Sequence, residues 1–319
     1  MPAISCSAPG KVILCGEHAV VYQKPAIAMP VFEGSTRCSI LALPAAPHDE
    51  SIVIAPGIGL KCHLKCLVED HPIRVAVKLV LKKLELDHLP VCEIRIQSTL
   101  PTAAGLGSSA STSVALIRTL STFLGHTFTD EEVNLAAFEI EKIHHGTPSG
   151  IDNTVITYAK TLFFQKGSPF EFLVPGKPFS LVIADTGIKS STSKVVSEVK
   201  QNALENPAKF EALFSQIGAI SISVKQSFLI GDLQLMGKSL TENHLLLREM
   251  GVSCEKLDLL VDCALDNGAL GAKLSGGGGG GNMIALVEPG HAESIAKALQ
   301  SNGAVRTIMT HMPAKGKPV

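Results

Sequence analysis

The chain has 319 residues, 45% of them hydrophobic, which is enough for a large buried core in one domain or two. Its 28 basic and 29 acidic side chains leave a formal net charge of −1, so bulk charge favours neither a nucleic acid nor a membrane surface as partner. Eight cysteines without disulfide or zinc spacing, and an N-terminus without signal-peptide features, favour a cytoplasmic protein with reduced thiols.

Hydrophobic periodicity and turn residues define the predicted elements. In chain order they predict β-rich segments at 4–21 and 31–43, a short strand at 51–54, a helix at 73–84, a strand at 91–97, and helices at 110–124 and 129–145. After a linker at 166–177 they predict a strand at 179–185, helices at 190–202, 207–230, 233–250 and 254–267, a glycine-rich loop, a strand at 282–287 and a helix at 291–302. Helices segregated against antiparallel sheets indicate the α+β class in both halves.

The segment 101–111 has the composition of a loop that wraps a polyphosphate. Gly105 and Gly107 can adopt positive φ and let backbone N–H groups close on phosphate oxygens. A strand precedes the segment and a helix follows it, so the positive end of the helix dipole would face the anion. The predicted nucleotide-binding residues are Pro101, Ala104, Gly105, Leu106, Gly107, Ser108, Ser109 and Ala110.

Two other phosphate motifs fit this segment less well. Its glycine spacing formally matches the dinucleotide fingerprint, but that motif needs a second strand ending in an acidic residue about twenty positions later. Asp130 has that distance but lies in a capping box, Thr129–Glu132, which predicts a helix start instead. An ordinary P-loop would have a lysine after its second glycine, so a lysine for ATP has to come from elsewhere. The loop alone is equally compatible with a structural glycine-serine turn.

Charged residues flank a short apolar strand near the N-terminus. Lys11 precedes the strand, and Glu17 and His18 follow it. Charges beside a buried strand are costly unless they serve a function, although solvated strand ends remain the alternative for this segment alone.

A second cluster combines a carboxylate late in a predicted helix with a tight turn. Glu141 lies unfavourably near the negative end of its helix dipole, which a bound cation such as Mg²⁺ would relieve. The turn after the helix presents Ser149 and Asp152, and Asp152 has the character of a catalytic carboxylate. The adjacent His144 and His145 are interpreted as capping or supporting groups, since neighbouring histidines on a helix point in different directions.

Six consecutive glycines, 276–281, follow the segment 271–275. Ordering them costs conformational entropy, which is tolerated chiefly where the backbone approaches a ligand or another chain closely. A flexible linker is the alternative, and we disfavour it because a strand pattern follows at once.

Three segments in this order, 9–18, 101–110 and 271–281, resemble the motifs of the GHMP small-molecule kinases, and the likeness spans nearly the whole chain. Within that family, the segments 16–22 and 145–153 resemble the members that phosphorylate mevalonate. The resemblance implies transfer of the γ-phosphoryl group of ATP to the primary hydroxyl of mevalonate, with Mg²⁺ as cofactor, by a homodimeric enzyme.

The resemblance also implies the two-domain GHMP kinase fold and a role for each candidate residue. A ribosomal-S5-like, ATP-binding domain is expected at 1–170 and a ferredoxin-like domain at 171–319. The implied catalytic pair is Lys11 and Asp152, and the implied Mg²⁺ ligands are Ser109 and Glu141. The residues implied to contact the acceptor substrate are Glu17, His18, Ser149, Lys189 and Gly277.

Two positions depart from the family pattern. The last motif usually has a shorter glycine run followed by cysteine, whereas Asn282 follows the run here, so we expect a looser loop. Animal-type members grip the substrate carboxylate with an arginine, whereas this chain offers Lys189, which supplies the charge without a bidentate fork. A kinase for phosphomevalonate or another small alcohol, and a catalytically silent sensor on the same fold, remain the alternatives.

Overall fold

The structure, a computed structural model, describes residues 3–44, 47, 50–101, 105–145 and 148–314. Its strands are Ile4–Cys15 (β1), Ala26–Ala42 (β2), Ile52–Ala55 (β3), Leu60–His63 (β4), Cys92–Ser98 (β5), Leu162–Phe164 (β6), Glu171–Phe172 (β7), Phe179–Asp185 (β8), Gly271–Ser275 (β9), Asn282–Val287 (β10) and Arg306–Met312 (β11). Its α-helices are Pro72–Lys83 (α1), Ser108–Phe123 (α2), Asp130–His145 (α3), Ile151–Tyr158 (α4), Thr192–Glu205 (α5), Pro207–Ile230 (α6), Leu233–Glu249 (α7), Glu255–Asp266 (α8) and Ala292–Ser301 (α9).

The chain forms two compact units that alternate along the sequence. The first unit takes the residues up to Gly10, Gly34–Pro101 and Gly107–Ala159. The second unit takes Lys11–Glu33, Thr102–Leu106 and the chain from Lys160 onward. Strands β1 and β2 therefore each contribute residues to both units.

The sheet of the first unit has the order β4-β3-β5-β2. Strand β5 pairs antiparallel with β2, where Ile94 lies opposite Ile40, and parallel with β3, where Val53 lies beside Ile94. These three side chains are fully buried and form the core face of the sheet. The predicted antiparallel pairing therefore has one exception in this unit, because the connection that contains α1 brings β5 back in the same direction as β3.

Helices α2, α3 and α4 of the first unit are tied together by side chains. The capping box predicted at the start of α3 is confirmed, since Thr129 N donates to Glu132 Oε2 (2.9 Å) and Glu132 N donates to Thr129 Oγ1 (3.2 Å). Arg118 of α2 donates to Asp130 Oδ1 (2.6 Å) and to Thr157 O (2.8 Å). One guanidinium thus joins the middle of α2 to the start of α3 and the end of α4.

The second unit contains an antiparallel sheet with the order β11-β8-β10-β9. The residues of β10 are all buried, and α8 and α9 pack on the sheet with large apolar side chains such as Leu260 and Leu299. The first residues of β2 pair with β6, and β6 pairs with β7, which lies inside the predicted linker 166–177. The buried cluster of α5, α6, α8, α9 and the sheet forms one continuous core.

Helix α7 protects the outer edge of β9. The backbone N–H groups of Ala272 and Leu274 donate to Thr241 Oγ1 and to His244 Nδ1, each at 3.3 Å. The two backbones also approach closely, since a Cβ atom on Gly237 would overlap the carbonyl of Leu270. An edge strand that would otherwise present unpaired polar groups is therefore covered.

The structure confirms most of the elements predicted from periodicity and adds six helices and strands among the described residues. The α+β class holds, and the predicted strands at 91–97, 179–185 and 282–287 and the helix at 207–230 lie within about a residue of their observed bounds. The sequence reading missed α4, β4, β6, β7, β9 and β11. Strand β9 was interpreted as part of a glycine-rich loop, because its pairing with β10 depends on partners beyond the glycine run.

Helix α6 is the one described helix whose length and composition alone would permit it to cross a membrane. Its residues Phe210, Ile217, Val224 and Phe228 are nevertheless buried in the core of the second unit. The apolar composition of this helix is therefore accounted for by packing.

Candidate active site

The phosphate-loop residues from Gly107 onward belong to the first unit and enter the start of α2 as predicted. Gly107 is the N-cap residue with φ 71°, and Ser108 and Ser109 occupy the first turn of the helix. Ala110 and Leu106 are buried, whereas Pro101 is half-buried and Ala104 lies outside the described residues. A left-handed glycine directly before the helix leaves its N-terminal N–H groups directed out of the helix end, which is the arrangement that binds phosphate oxygens.

Ser109 and Glu141 are direct partners in the first unit. Ser109 Oγ donates to Glu141 Oε1 at 2.7 Å, and Glu141 is only 3% exposed. Ser111, one turn into α2, donates to Ala8 O at 2.9 Å and so fixes the helix start against β1. The two oxygen-bearing side chains that the sequence assigns to a metal are therefore together.

Asp152 lies in the first turn of α4 rather than in the tight turn predicted from sequence. Gly150 is the N-cap residue with φ 90°, and Ser149 Oγ accepts from Ile151 N at 3.3 Å. Asn153 Nδ2 donates to Asn134 Oδ1 at 2.6 Å, which ties α4 to α3. The fixed helix gives the side chain of Asp152 a defined position.

In the second unit, residues from all three predicted motifs meet. Lys11 N donates to Leu106 O at 3.0 Å, which joins the first motif to the phosphate loop. Ser275 Oγ donates to Ile13 O at 2.9 Å and accepts from Ile13 N at 3.1 Å, which joins the first motif to the third. Lys11 is 5% exposed, so the alternative of a solvated strand end was wrong for this residue.

Glu17 is buried and its carboxylate faces another side chain of the second unit. Lys273 Nζ donates to Glu17 Oε1, and the two side chains are 0% and 2% exposed, respectively. Burial raises the pKa of Glu17, and the ammonium group of Lys273 opposes that effect. The sequence reading placed Glu17 in the acceptor pocket and missed Lys273, although an isolated lysine in the pattern Gly-Ala-Lys-Leu-Ser was the available signal.

His18 occupies a rare backbone conformation. Its φ of 59° and ψ of −46°, with a 2.6 Å hydrogen bond from Ala19 N to Glu17 O, define a classic γ-turn. His18 Nε2 lies 3.0 Å from Gly277 O, which can only accept, so Nε2 carries the proton. Burial lowers the pKa of His18 to about 4, so the imidazole is neutral at physiological pH. Strained conformations of this kind concentrate at functional sites.

The glycine run forms the hairpin connection between β9 and β10, with a defined path. Gly279 N donates to Val252 O (2.8 Å) and Gly281 N donates to Ile188 O (2.9 Å). A Cβ atom on Gly278 would overlap the carbonyl of Val252, so this glycine is required by the protein's own backbone. The expected looser loop is therefore not observed. Lys189 is exposed in the neighbouring loop, and its contact with a substrate stays a prediction.

Comparison with known proteins identifies the family. Residues 71–160 match the GHMP kinases N terminal domain, and residues 224–305 match the GHMP kinases C terminal domain. A mevalonate kinase from Pyrococcus horikoshii is 34% identical over 96% of this chain and 94% of its own length. The chain belongs to the mevalonate kinase branch of the GHMP kinase family.

Solved structures of this family have the same fold. The L. major mevalonate kinase in complex with R-mevalonate superposes with a TM-score of 0.83 at 33% identity, covering 98% of this chain and 97% of that one. The Methanococcus jannaschii mevalonate kinase superposes with a TM-score of 0.82 at 26% identity, covering 99% of both chains. The predicted two-domain GHMP kinase fold is confirmed, and the protein is a phosphotransferase that uses an alcohol group as acceptor.

Proposed function

We propose that this GHMP kinase transfers the γ-phosphoryl group of ATP to the primary hydroxyl of mevalonate, giving 5-phosphomevalonate and ADP. The observation that carries the proposal is the meeting of the three motif segments in the second unit, through Lys11 with Leu106 and Ile13 with Ser275. The choice of acceptor is supported by relatives named mevalonate kinase that align over nearly the full chain.

The side chains suit a reaction that needs positioning and charge neutralisation more than covalent chemistry. Lys11 is the cation that stabilises charge on the transferred group. Asp152 is the carboxylate that orients the acceptor hydroxyl and accepts its proton. The N–H groups at the start of α2 and the backbone of Gly105 hold the phosphates.

Ser109 and Glu141 fit a magnesium ion by their chemistry. Their oxygens lie 2.7 Å apart, and Mg²⁺ prefers hard oxygen ligands and binds through one or two protein groups plus substrate phosphates. Within the described ranges, no group of three or more His, Cys, Asp or Glu side chains is arranged so that it could hold a metal ion. Bound by Ser109 and Glu141, Mg²⁺ would neutralise charge on the phosphate oxygens.

The second-unit residues proposed to contact the acceptor are His18, Lys189 and Gly277. Ser149 of the first unit stays a candidate acceptor contact from the family resemblance. The neutral imidazole of His18, which donates through Nε2 to Gly277 O, leaves Nδ1 as a hydrogen-bond acceptor. The exposed ammonium of Lys189 is the candidate partner for the substrate carboxylate.

A cytoplasmic location and a homodimer are part of the same proposal. The eight cysteines are all free thiols, and burial raises the pKa of Cys15 and Cys38 to about 12, so both stay protonated. Such thiols fit a reducing compartment.

The decisive experiment follows ADP release by the purified protein in Mg·ATP with mevalonate, phosphomevalonate, homoserine or galactose. Release with mevalonate alone supports the proposal. Release with another acceptor would keep the phosphotransferase chemistry and change the substrate, and no release with any of them would favour the silent sensor.

A further inference from the structure

The buried ion pair of Lys273 and Glu17 has no direct role in the proposed phosphoryl transfer. Lys273 is fully buried at the centre of β9, and its ammonium group donates to Glu17 Oε1 and to Leu274 O (2.5 Å). Glu17 Oε2 is also buried and has no hydrogen-bond partner within the described residues. The pair therefore joins two segments that are 256 positions apart, and one of its acceptor sites is left unsatisfied.

Such a pair is an expensive way to stabilise a fold. Removing two charges from water costs several kcal/mol per ion, and an apolar pair of similar volume is often as stable or more stable. A partly satisfied polar network is costlier still. Stability alone therefore gives no reason to have this pair at the centre of the second unit.

The ion pair of Lys273 and Glu17 holds the segment around His18, whose backbone is strained. The carboxylate of Glu17 is fixed by Lys273, and the backbone of Glu17 accepts the γ-turn hydrogen bond from Ala19 N. On the N-terminal side, Gly16 has φ 97° and lies so close to Ala26 that a Cβ atom would overlap it. A γ-turn centred on a non-glycine residue is strained and persists only where its surroundings determine it.

The same pair also restrains the start of the glycine run. Lys273 precedes Ser275 and Gly277 on the same strand and hairpin, and His18 follows Glu17 directly. Glu17 contacts Lys273, and His18 Nε2 contacts Gly277 O, so two adjacent residues are fixed to two positions of one β-hairpin.

We infer that Lys273 and Glu17 are positioning residues whose buried ion pair sets the γ-turn at His18 and the path of Gly277, and thereby the shape of the acceptor pocket. The inference rests on the proposed function for its link to the alcohol substrate. Lys273 has no exposed surface and cannot contact a substrate directly, so it acts through Glu17.

The test is a double-mutant cycle of Glu17→Leu and Lys273→Met. Each single variant leaves one buried charge unpaired and is expected to lower Tm by about 10 °C. The double variant carries no unpaired charge, so its Tm should return to within a few degrees of the parent. Its kcat/KM for the alcohol should nevertheless stay about 100-fold below the parent, with KM for ATP changed less than about threefold.

The control removes an exposed ion pair of the same unit. Lys209 and Glu249 lie 3.7 Å apart with side chains 51% and 55% exposed. The variant Lys209→Met/Glu249→Leu changes the same charges and should leave Tm and kcat/KM close to those of the parent. If the Glu17→Leu/Lys273→Met variant is stable and turns over the alcohol within about threefold of the parent, the positioning role is excluded.

Histidine NMR reads the geometry without any substrate. In protein labelled with ¹⁵N-histidine, the His18 signals, assigned by their absence in His18→Gln, should show a neutral ring protonated at Nε2. The double variant should show a mixture of tautomers because the γ-turn is released. An unchanged His18 spectrum in the double variant overturns the inference. A changed spectrum in a protein that phosphorylates no alcohol would reject the proposed function and retain the positioning.

A further variant covers the case in which the double variant does not fold. Lys273→Arg keeps the charge but replaces the compact ammonium by a planar fork. We expect a folded protein whose kcat/KM for the alcohol falls at least about tenfold, with a shifted His18 signal. Activity and spectrum equal to those of the parent would contradict the positioning role.

Discussion

The two units hold their candidate site residues by different means. In the first unit, Ser109 and Asp152 lie in the first turns of α2 and α4, each behind a left-handed glycine N-cap. In the second unit, Glu17 and His18 are held by contacts with Lys273 and Gly277, more than 250 positions away. A helix start is encoded within a few residues, whereas such a contact depends on the whole unit having folded. A helix start can be recognised from a few neighbouring residues, whereas the distant partners that hold Glu17 and His18 cannot.

Among the variants that distinguish the two kinds of site, those at Asp152 are expected to have the largest effect on turnover. In Asp152→Ala, turnover should fall by roughly 10²–10⁴-fold, because the group that accepts the hydroxyl proton is lost. ATP affinity, measured by calorimetry, should stay close to that of the parent, since the helix start at α2 is untouched. Asp152→Asn keeps the side-chain shape and should be comparably slow. Turnover within threefold of the parent in either variant would remove Asp152 from the mechanism.

Acid should weaken the second unit through two buried histidines. Burial lowers the pKa of both His18 and His244 to about 4, while an unfolded chain would titrate near 6.5. The unfolded state therefore binds more protons between these values, so this contribution is complete above pH 6.5 and is lost as the pH falls to 4. Each histidine accounts for up to about 3 kcal/mol.

The measurement is the free energy of unfolding in urea at pH 7, 6 and 5. In His244→Asn, the free energy of unfolding should decline less between pH 7 and pH 5 than in the parent. In His88→Gln, at an exposed position of the first unit, the decline should match that of the parent. Glu17 acts in the opposite direction because burial raises its pKa, so the comparison is made between variants at the histidines. Identical slopes for the parent and His244→Asn would contradict the assignment.

The close approach of backbones in the second unit can be tested by adding one methyl group. In Gly237→Ala, the new Cβ overlaps the carbonyl of Leu270, so we expect the free energy of unfolding to fall by about 2 kcal/mol although alanine favours helices. Gly57→Ala is the control, because a Cβ atom there meets nothing within 4 Å. A Gly237→Ala protein as stable as the parent would mean that α7 and β9 can separate without cost.

The distinction between local patterns and distant contacts also determines how much of the structure can be predicted from the sequence. The helix start behind Gly107 and the capping box at Thr129 rest on local patterns, and the structure confirms both. The joint assignment of Ser109 and Glu141 to a metal came from the family resemblance, and the structure places these two side chains in contact. Strand β9 and Lys273 were missed because their partners lie on β10 and at Glu17, which no local pattern specifies. Helix α4 was missed because it is only eight residues long and begins after a glycine turn.

The metal role of Glu141 predicts a smaller effect in the first unit. In Glu141→Gln, the Mg²⁺ concentration for half-maximal rate should rise about tenfold, because an amide oxygen is a weaker ligand than a carboxylate. Glu139→Gln is the matched control on the same helix, where the side chain is 50% exposed and pairs with Lys142. A Mg²⁺ titration of Glu141→Gln that overlays the parent would make Glu141 a structural partner of Ser109.

The smallest effect is expected at the other end of the same helix. Thr129→Ala removes the hydroxyl that caps α3 and, with it, the hydrogen bond from Glu132 N to Thr129 Oγ1. This loss should lower the free energy of unfolding by about 1 kcal/mol. Thr129→Ser retains the capping oxygen and should recover most of that loss. Because Thr129 and Glu141 are separated by three helical turns, the Mg²⁺ titration of Thr129→Ala should match the parent. A shifted Mg²⁺ titration would mean that fraying at the start of α3 reaches Glu141. The position of Glu141 would then depend on distant contacts, as the positions of Lys273 and Glu17 do.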